Sequence, residues 1–139
     1  MQFRLYYAIF SFIMQAGQKT VMIIEDEHES AELFAEMMRV GGYRVLKMYS
    51  GASALSTLAR EKPDAVILDI MLPDVSGLEV LHGMRGEPAL AGTPVIIVSA
   101  KAMPTDVKNG LEAGASLYLT KPVTFRDLKE AVDRLTRGS

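Results

Sequence analysis

Cysteine is absent from the 139 residues, so disulfides, thiolate zinc sites and thiol catalysis are all excluded. That suits a cytoplasmic protein. An excess of charge is also missing. Fifteen Lys and Arg stand against seventeen Asp and Glu, for a formal charge of -2, and the basic residues are scattered. Nothing here is an electrostatic footprint for nucleic acid. No apolar run is long enough to span a bilayer as a helix, and no repeat, low-complexity tract or interdomain linker breaks the chain. What remains is an ordinary globular composition, 49% hydrophobic and 23% charged. It has room for one domain and a short appendage.

Residues 1–18 are the appendage. Phe3, Tyr6, Tyr7, Phe10 and Phe12 are half of all the aromatic residues. Arg4 ahead of an apolar stretch, with Ala16 and Gly17 after it, is faintly like a signal peptide. The spacing fits a helix better: Phe3, Tyr6, Tyr7, Phe10, Ile13 and Met14 recur at intervals of three and four and so share a face. The expectation is an added N-terminal helix that packs on the domain or on a second copy of the chain. Residues 19–137 form the domain, and 138–139 a tail.

From Thr20 onward apolar runs alternate with amphipathic stretches. Val21-Met22-Ile23-Ile24 ends in Glu25-Asp26-Glu27, and a helix follows over 28–40, with Ala31, Phe34, Met37 and Met38 on one face and Gly41-Gly42 as its stop. Residues 43–49 read as a second strand. Ser50 is the expected N-cap of a helix reaching Glu61, with Leu55, Leu58 and Ala59 as its stripe. Ala65-Val66-Ile67-Leu68 is a strand buried on both faces, released at Asp69 and turned by Pro73. Ser76-Gly77-Leu78-Glu79 has the form of a capping box, and its helix carries Leu78, Leu81 and Met84 inward. A loop over 86–94 leads to Val95-Ile96-Ile97-Val98 and Ser99, and Pro104 opens a helix ending near Gly114. A fifth strand over 116–120 precedes Lys121-Pro122. Thr124 then caps a last helix bearing Phe125, Leu128, Val132 and Leu135. Five buried strands alternating with five helices predict an open parallel sheet with helices on both faces.

In such a sheet ligands bind beyond the carboxyl ends of the strands. Glu25 and Asp26 follow the first strand, Asp69 the third, Ser99 the fourth and Lys121 the fifth. Each has an ordinary reading, as a helix-capping acid, a loop residue or a solvated lysine. Five on one rim is a signal that those readings do not explain. His28 and His82 read as exposed helix residues rather than ligands.

At these positions the chain resembles the receiver domain of two-component response regulators over about residues 20–137. The likeness rests on Ile24-Glu25-Asp26-Glu27, Leu68-Asp69-Ile70-Met71-Leu72-Pro73, Ser76-Gly77, Val98-Ser99-Ala100, Gly114-Ala115 and Lys121-Pro122. It implies an α/β, flavodoxin-like (βα)5 doubly wound sheet of strand order 2-1-3-4-5. The first and third strands are then neighbours, roughly 4.8 Å apart, so Asp26 and Asp69 can share one hard divalent cation, Mg2+ or Mn2+. The resemblance further implies that Asp69 accepts a phosphoryl group, that Met71 offers its backbone carbonyl to the metal, and that Glu25 acts on it directly or through water. Lys121 and Ser99 would meet phosphoryl oxygens, Ser99 and Tyr118 would form the switch, and the Lys121–Pro122 bond would be cis. The implied partners are a histidine kinase or phosphotransfer protein as donor and a downstream protein that reads the fourth helix, fifth strand and fifth helix. Met71 is apolar and cannot orient an attacking water, so slow self-hydrolysis is expected. Ser116-Leu117-Tyr118 lacks the paired acids of the winged-helix transcription-factor subfamily, and a dimer of that kind is not assumed.

Two other functions compete. One is a receiver-like interaction module that takes no phosphate, which the intact set of Asp26, Asp69, Ser99 and Lys121 argues against. The other is a phosphohydrolase or flavin-binding protein. The hydrolase needs an acid where Met71 stands, and the flavin site needs a phosphate loop where Glu25-Asp26-Glu27 would repel phosphate.

Overall fold

Runs of β-branched and aliphatic residues four or five long cannot bury both faces alone, and here they assemble into one sheet. The computed structural model describes residues 2–137. Helix α1 (Gln2–Ala16) precedes β1 (Thr20–Ile24), α2 (His28–Val40), β2 (Arg44–Met48), α3 (Ala54–Glu61) and β3 (Ala65–Leu68). Then come α4 (Gly77–Gly86), β4 (Val95–Ser99), α5 (Pro104–Glu112), β5 (Leu117–Thr120) and α6 (Phe125–Thr136). All strand pairs are parallel, in the order β2-β1-β3-β4-β5. This is the expected doubly wound, flavodoxin-like arrangement.

Alternation along each strand divides the interior in two. Val21 and Ile23, with Ile67, Ile96 and Val98, meet Phe34 and Met38 of α2 and Leu128 and Val132 of α6. Met22 and Ile24, with Val66, Leu68 and Ile97, meet Leu58 of α3 and Val80, Leu81 and Met84 of α4. At about 25 cal/mol per Å² of apolar surface removed from water, these two layers supply most of the driving force for folding.

Three local expectations need correction. Helix α3 starts at Ala54, not after Ser50, and its N-cap is Ser53. The reason lies far along the chain, where the Asp74 carboxylate accepts the Gly51 and Ala52 N–H groups at 3.0 and 2.8 Å. Those donors hold Asp74 below the usual carboxylate range, and Ser50 is left with nothing to cap. Within α3, Ala54 and Leu58 are buried while Leu55 and Ala59 are exposed. Phe125 of α6 is likewise exposed where Leu128 and Val132 are covered. Finally, α1 is helical as expected, and none of its described side chains packs on the domain. The side chains from Gln2 to Phe10 are all exposed, and no described side chain of α1 enters either core. Ile13 and Met14 lie outside the residues whose side chains are described.

At the end of the sheet opposite the acids, a polar cluster holds α6. The buried Tyr43 donates its hydroxyl hydrogen to the Asp133 carboxylate, which also accepts from Lys129 Nζ at 2.6 Å. Burial works against the charged form of Asp133, but Lys129 and Tyr43 outweigh it and hold the pKa below its ordinary 3.8. A depressed carboxyl pKa stabilises the fold above the unfolded value, and that contribution is lost as pH falls through the folded one. Tyr43→Phe is expected to cost about 1–2 kcal/mol, a drop in Tm of roughly 3–8 °C. It should also flatten the loss of stability below about pH 4. Thermal melts across the acid range check both.

Candidate functional site

Strand register builds the site. Ile24 pairs with Leu68 across β1 and β3, so the residues just beyond them, Glu25 and Asp69, leave the sheet side by side. Asp69 N donates to the Ile24 carbonyl at 3.0 Å and Glu25 N to the Met48 carbonyl at 2.9 Å, which keeps both backbones in strand-like positions past the sheet's edge. On the other flank Ser99 pairs with Thr120, and Lys121 N donates to the Ser99 carbonyl at 2.9 Å. Lys121 thus starts on the far side of β4 and reaches back with its stem. Its bond to Pro122 is cis.

The side chains converge. Carboxylate oxygens of Glu25, Asp26 and Asp69 lie within 4.8 Å of one another. Lys121 Nζ donates to Glu25 Oε1 at 2.5 Å and to Asp69 Oδ2 at 3.0 Å, and it stands 5.8 Å from the centre of the Phe34 ring. Asp69 Oδ1 accepts the Met71 N–H at 2.9 Å. Glu25, Asp69 and Ser99 are buried, Asp26 is half-buried, and the Met71 side chain is 52% exposed at the mouth.

These contacts separate the two buried acids electrostatically. Burial pushes Glu25 up to about 7, the bond from Lys121 notwithstanding, and the neighbouring Asp69 pushes the same way. Burial also opposes the charge on Asp69, but the Met71 N–H, a hydrogen bond with Glu25 and the Lys121 ammonium hold it below the usual carboxylate range. Lys121, desolvated but facing two acids, is held above its ordinary value. Asp69 is therefore the more firmly ionised of the two.

The donor set fits a hard divalent cation. Every side-chain ligand is a carboxylate oxygen, and Glu25 Oε2 is buried without a hydrogen-bond partner. A buried carboxylate oxygen left unpaired costs free energy that a cation would recover. Glu25, Asp26 and Asp69 could hold such an ion.

Around this centre lie features that the sequence reading passed over. Gly77, read as part of a capping box, presses its Cα against the strand exit: a Cβ there would fall 2.3 Å from the Asp69 carbonyl oxygen. Ser76 does cap α4, its Oγ accepting the Leu78 N–H at 3.2 Å. His28 is exposed, as expected, but stacks on Tyr49 at 4.1 Å between ring centres, pinning the start of α2 to the end of β2. Arg85 spans the 86–94 loop, donating to the carbonyls of Thr93 (2.9 Å) and Gly114 (2.9 Å). A motif search has no handle on such a residue, because its partners are backbone. Tyr118 is half-buried, donates to the Lys101 carbonyl at 2.7 Å and lies against Gly110, where a Cβ would come within 2.8 Å of its ring.

A five-stranded parallel sheet with an acid cluster and a lysine at its carboxyl rim defines a class. Residues 21–133 match the response regulator receiver domain family. The chain is 37% identical over 114 residues to the polar-differentiation response regulator DivK of Brucella ovis, an alignment covering 82% of this chain and 93% of DivK. It is 39% identical over 109 residues to the probable transcriptional regulatory protein TcrX of Mycobacterium tuberculosis, covering 78% of this chain but 46% of TcrX. Among solved structures, a putative response regulator from Chloroflexus aurantiacus superposes with a TM-score of 0.82 at 30% identity, over 86% of this chain and 98% of the other. The receiver domain of a sensor histidine kinase from Pseudomonas aeruginosa, solved with a magnesium ion in its active-site cleft, gives 0.81 at 28% identity, over 88% and 100%.

The chain belongs to the response regulator receiver family. Among the described residues no helix is long and apolar enough to cross a membrane.

Proposed function

We propose that this protein is a phosphorylation-activated receiver of a cytoplasmic two-component relay, accepting a phosphoryl group on Asp69 from a histidine kinase or phosphotransfer protein. The observation that carries this reading is the Lys121 ammonium on Asp69 Oδ2, 3.0 Å away, beside a carboxylate cluster fit for a cation. A bound Mg2+, held by Glu25, Asp26, Asp69 and the Met71 carbonyl, would neutralise phosphoryl charge in the site.

The chain's own residues do the rest. Asp69 is kept ionised, and the Met71 N–H fixes its rotamer, so an oxygen is presented for in-line attack. An O–P bond forms as the donor's bond to phosphorus breaks, and the electron pair leaves with the donor. Lys121 then moves its contact from the carboxylate to a phosphoryl oxygen, and Ser99 Oγ donates to another. Ser99 lies one strand from Tyr118, so its turn toward the phosphoryl group opens space behind it for the Tyr118 ring. That couples the site to the face formed by α5, β5 and α6, where a downstream protein would bind. Beyond this self-phosphorylation and its reversal, the protein is a switch and turns over no substrate.

Intact-mass measurement after incubation with acetyl phosphate and Mg2+ tests the reading. The expected result is one added phosphoryl group in the wild type and none in Asp69→Asn or in the presence of EDTA. The label should persist well beyond seconds, because Met71 offers no group to orient water. A wild type that stays unmodified by both acetyl phosphate and a phosphorylated kinase would favour the phosphate-independent interaction module.

A further inference from the structure

No described side chain of α1 takes part in the site or in either core. Its Phe3, Leu5, Tyr6, Tyr7, Ile9 and Phe10 are between 47% and 89% exposed. At about 100° per residue these six spread over an arc of roughly 200°, leaving Arg4 and Ala8 on the remainder. A helix that lies on one neighbour needs an apolar stripe of about 100°. One that is apolar over twice that width is built for two neighbours. With large apolar side chains of about 150–250 Å² for the aromatics alone, the patch is on the order of 700 Å², more than monomers ordinarily leave in water.

A second uncovered apolar surface lies on the same chain. Leu33, Met37 and Val40 of α2 and Phe125 of α6, edged by Glu36, line a shallow groove, with Leu33 55% and Val40 70% exposed. The ends of the two helices meet: Gln18 Nε2, just past α1, donates to the Gly42 carbonyl, just past α2, at 3.2 Å. The Lys19 carbonyl accepts the Arg44 N–H at 2.9 Å. Residues 17–19 join α1 to β1, a connection of ordinary length for a helix followed by a strand. The described side chains of α1 line no part of the groove on their own α2.

We propose that a second copy of the chain covers both surfaces, in a twofold dimer. Each α1 packs against its counterpart and across the partner's α2 groove, which supplies the two neighbours that its wide apolar arc requires. Two patches of this size with the grooves they cover bury on the order of 1,500–2,000 Å², the range of stable dimers. A closed twofold contact also leaves no apolar face to recruit a third chain.

Sedimentation equilibrium on the full chain at micromolar concentration tests this, with the double variant Phe3→Glu/Phe10→Glu and the single variant Val40→Asp. Circular dichroism melts confirm that each variant is folded. The expected result is a dimeric wild type, with dimerisation weakened at least 100-fold in both variants and the melts of the domain retained. A monomeric wild type overturns the proposal, as does a dimer indifferent to the Phe3/Phe10 change. A dimer lost in the double variant but intact in Val40→Asp overturns the groove as the seat of α1. Wild-type chain that is monomeric in solution and co-sediments with phospholipid vesicles would assign α1 to a lipid surface instead.

Discussion

Lys121→Ala will slow phosphoryl incorporation from acetyl phosphate by about 100- to 1,000-fold, the range seen when one preorganised charge donor is taken from a water-poor site. In the structure the ammonium is the counter-charge of two buried carboxylates, at 2.5 Å from Glu25 and 3.0 Å from Asp69. Stability should suffer less than the loss of a buried ion-pair partner usually implies, about 3–5 kcal/mol. Glu25 already sits near pH 7 by virtue of its burial, so with Lys121 gone it can take up a proton rather than remain an uncompensated charge. A loss of about 1–2 kcal/mol follows from that escape. Lys121→Arg separates the two roles. Its charge restores the melting temperature, while its rigid planar fork cannot follow the acceptor oxygen from carboxylate to phosphoryl group, so the rate stays low. Quench-flow or mass-resolved time courses read the rate, and thermal melts read the stability. If Lys121→Arg incorporated phosphate at the wild-type rate, the lysine would be a fixed counter-ion and no part of the transfer.

Much of the fold was legible because its signals are local. Valine, isoleucine and leucine in unbroken runs, each followed by a helix-period stretch, announce buried parallel strands whatever surrounds them. The meeting of Glu25, Asp26, Asp69 and Lys121, with Ser99 on the same rim, was readable for a related reason. Each stands just past such a run, and a parallel sheet brings every strand's carboxyl end to one rim. The misreadings have two sources, a partner distant in sequence and the unknown width of a helix's buried face. Ser50 looked like a cap because nothing nearby reveals that Asp74 takes its donors. Leu55 and Phe125 looked inward because spacing assigns a face without saying how wide the buried stripe is. Arg85 and Tyr43 gave no signal at all, since one binds backbone carbonyls and the other an acid ninety residues on. Helix α1 was legible as a helix, but its environment was not: whether an apolar face is covered depends on what stands beside it.

Gly77 is the position where fold and chemistry fail together, and Gly77→Ala is expected to be the most destabilising small substitution in the domain. The added Cβ would lie 2.3 Å from the Asp69 carbonyl oxygen, 2.8 Å from Ile70 Cα and 3.0 Å from the Asp69 carbonyl carbon. All three are backbone atoms, so no side chain can rotate away. The backbone cannot shift freely either, because Gly77 N donates to the Ile70 carbonyl at 3.0 Å, and Val80, Leu81 and Met84 of α4 are fully packed. Overpacking of this kind costs about 1–3 kcal/mol where side chains can yield, and here it should reach or exceed the upper end. The drop in Tm would be on the order of 10 °C. What does yield must be the segment carrying Asp69, so the folded fraction should also take up phosphate at least about tenfold more slowly, since a misplacement of about 1 Å is enough to cost that. Gly86→Ala, at the other end of the same helix, is the control. A Cβ there meets nothing, and alanine's better helix propensity makes the change neutral or stabilising by up to about 1 kcal/mol. A Gly77→Ala protein that melted with Gly86→Ala would mean that α4 is not wedged against the strand exit, and that Asp69 is held by its hydrogen bonds alone.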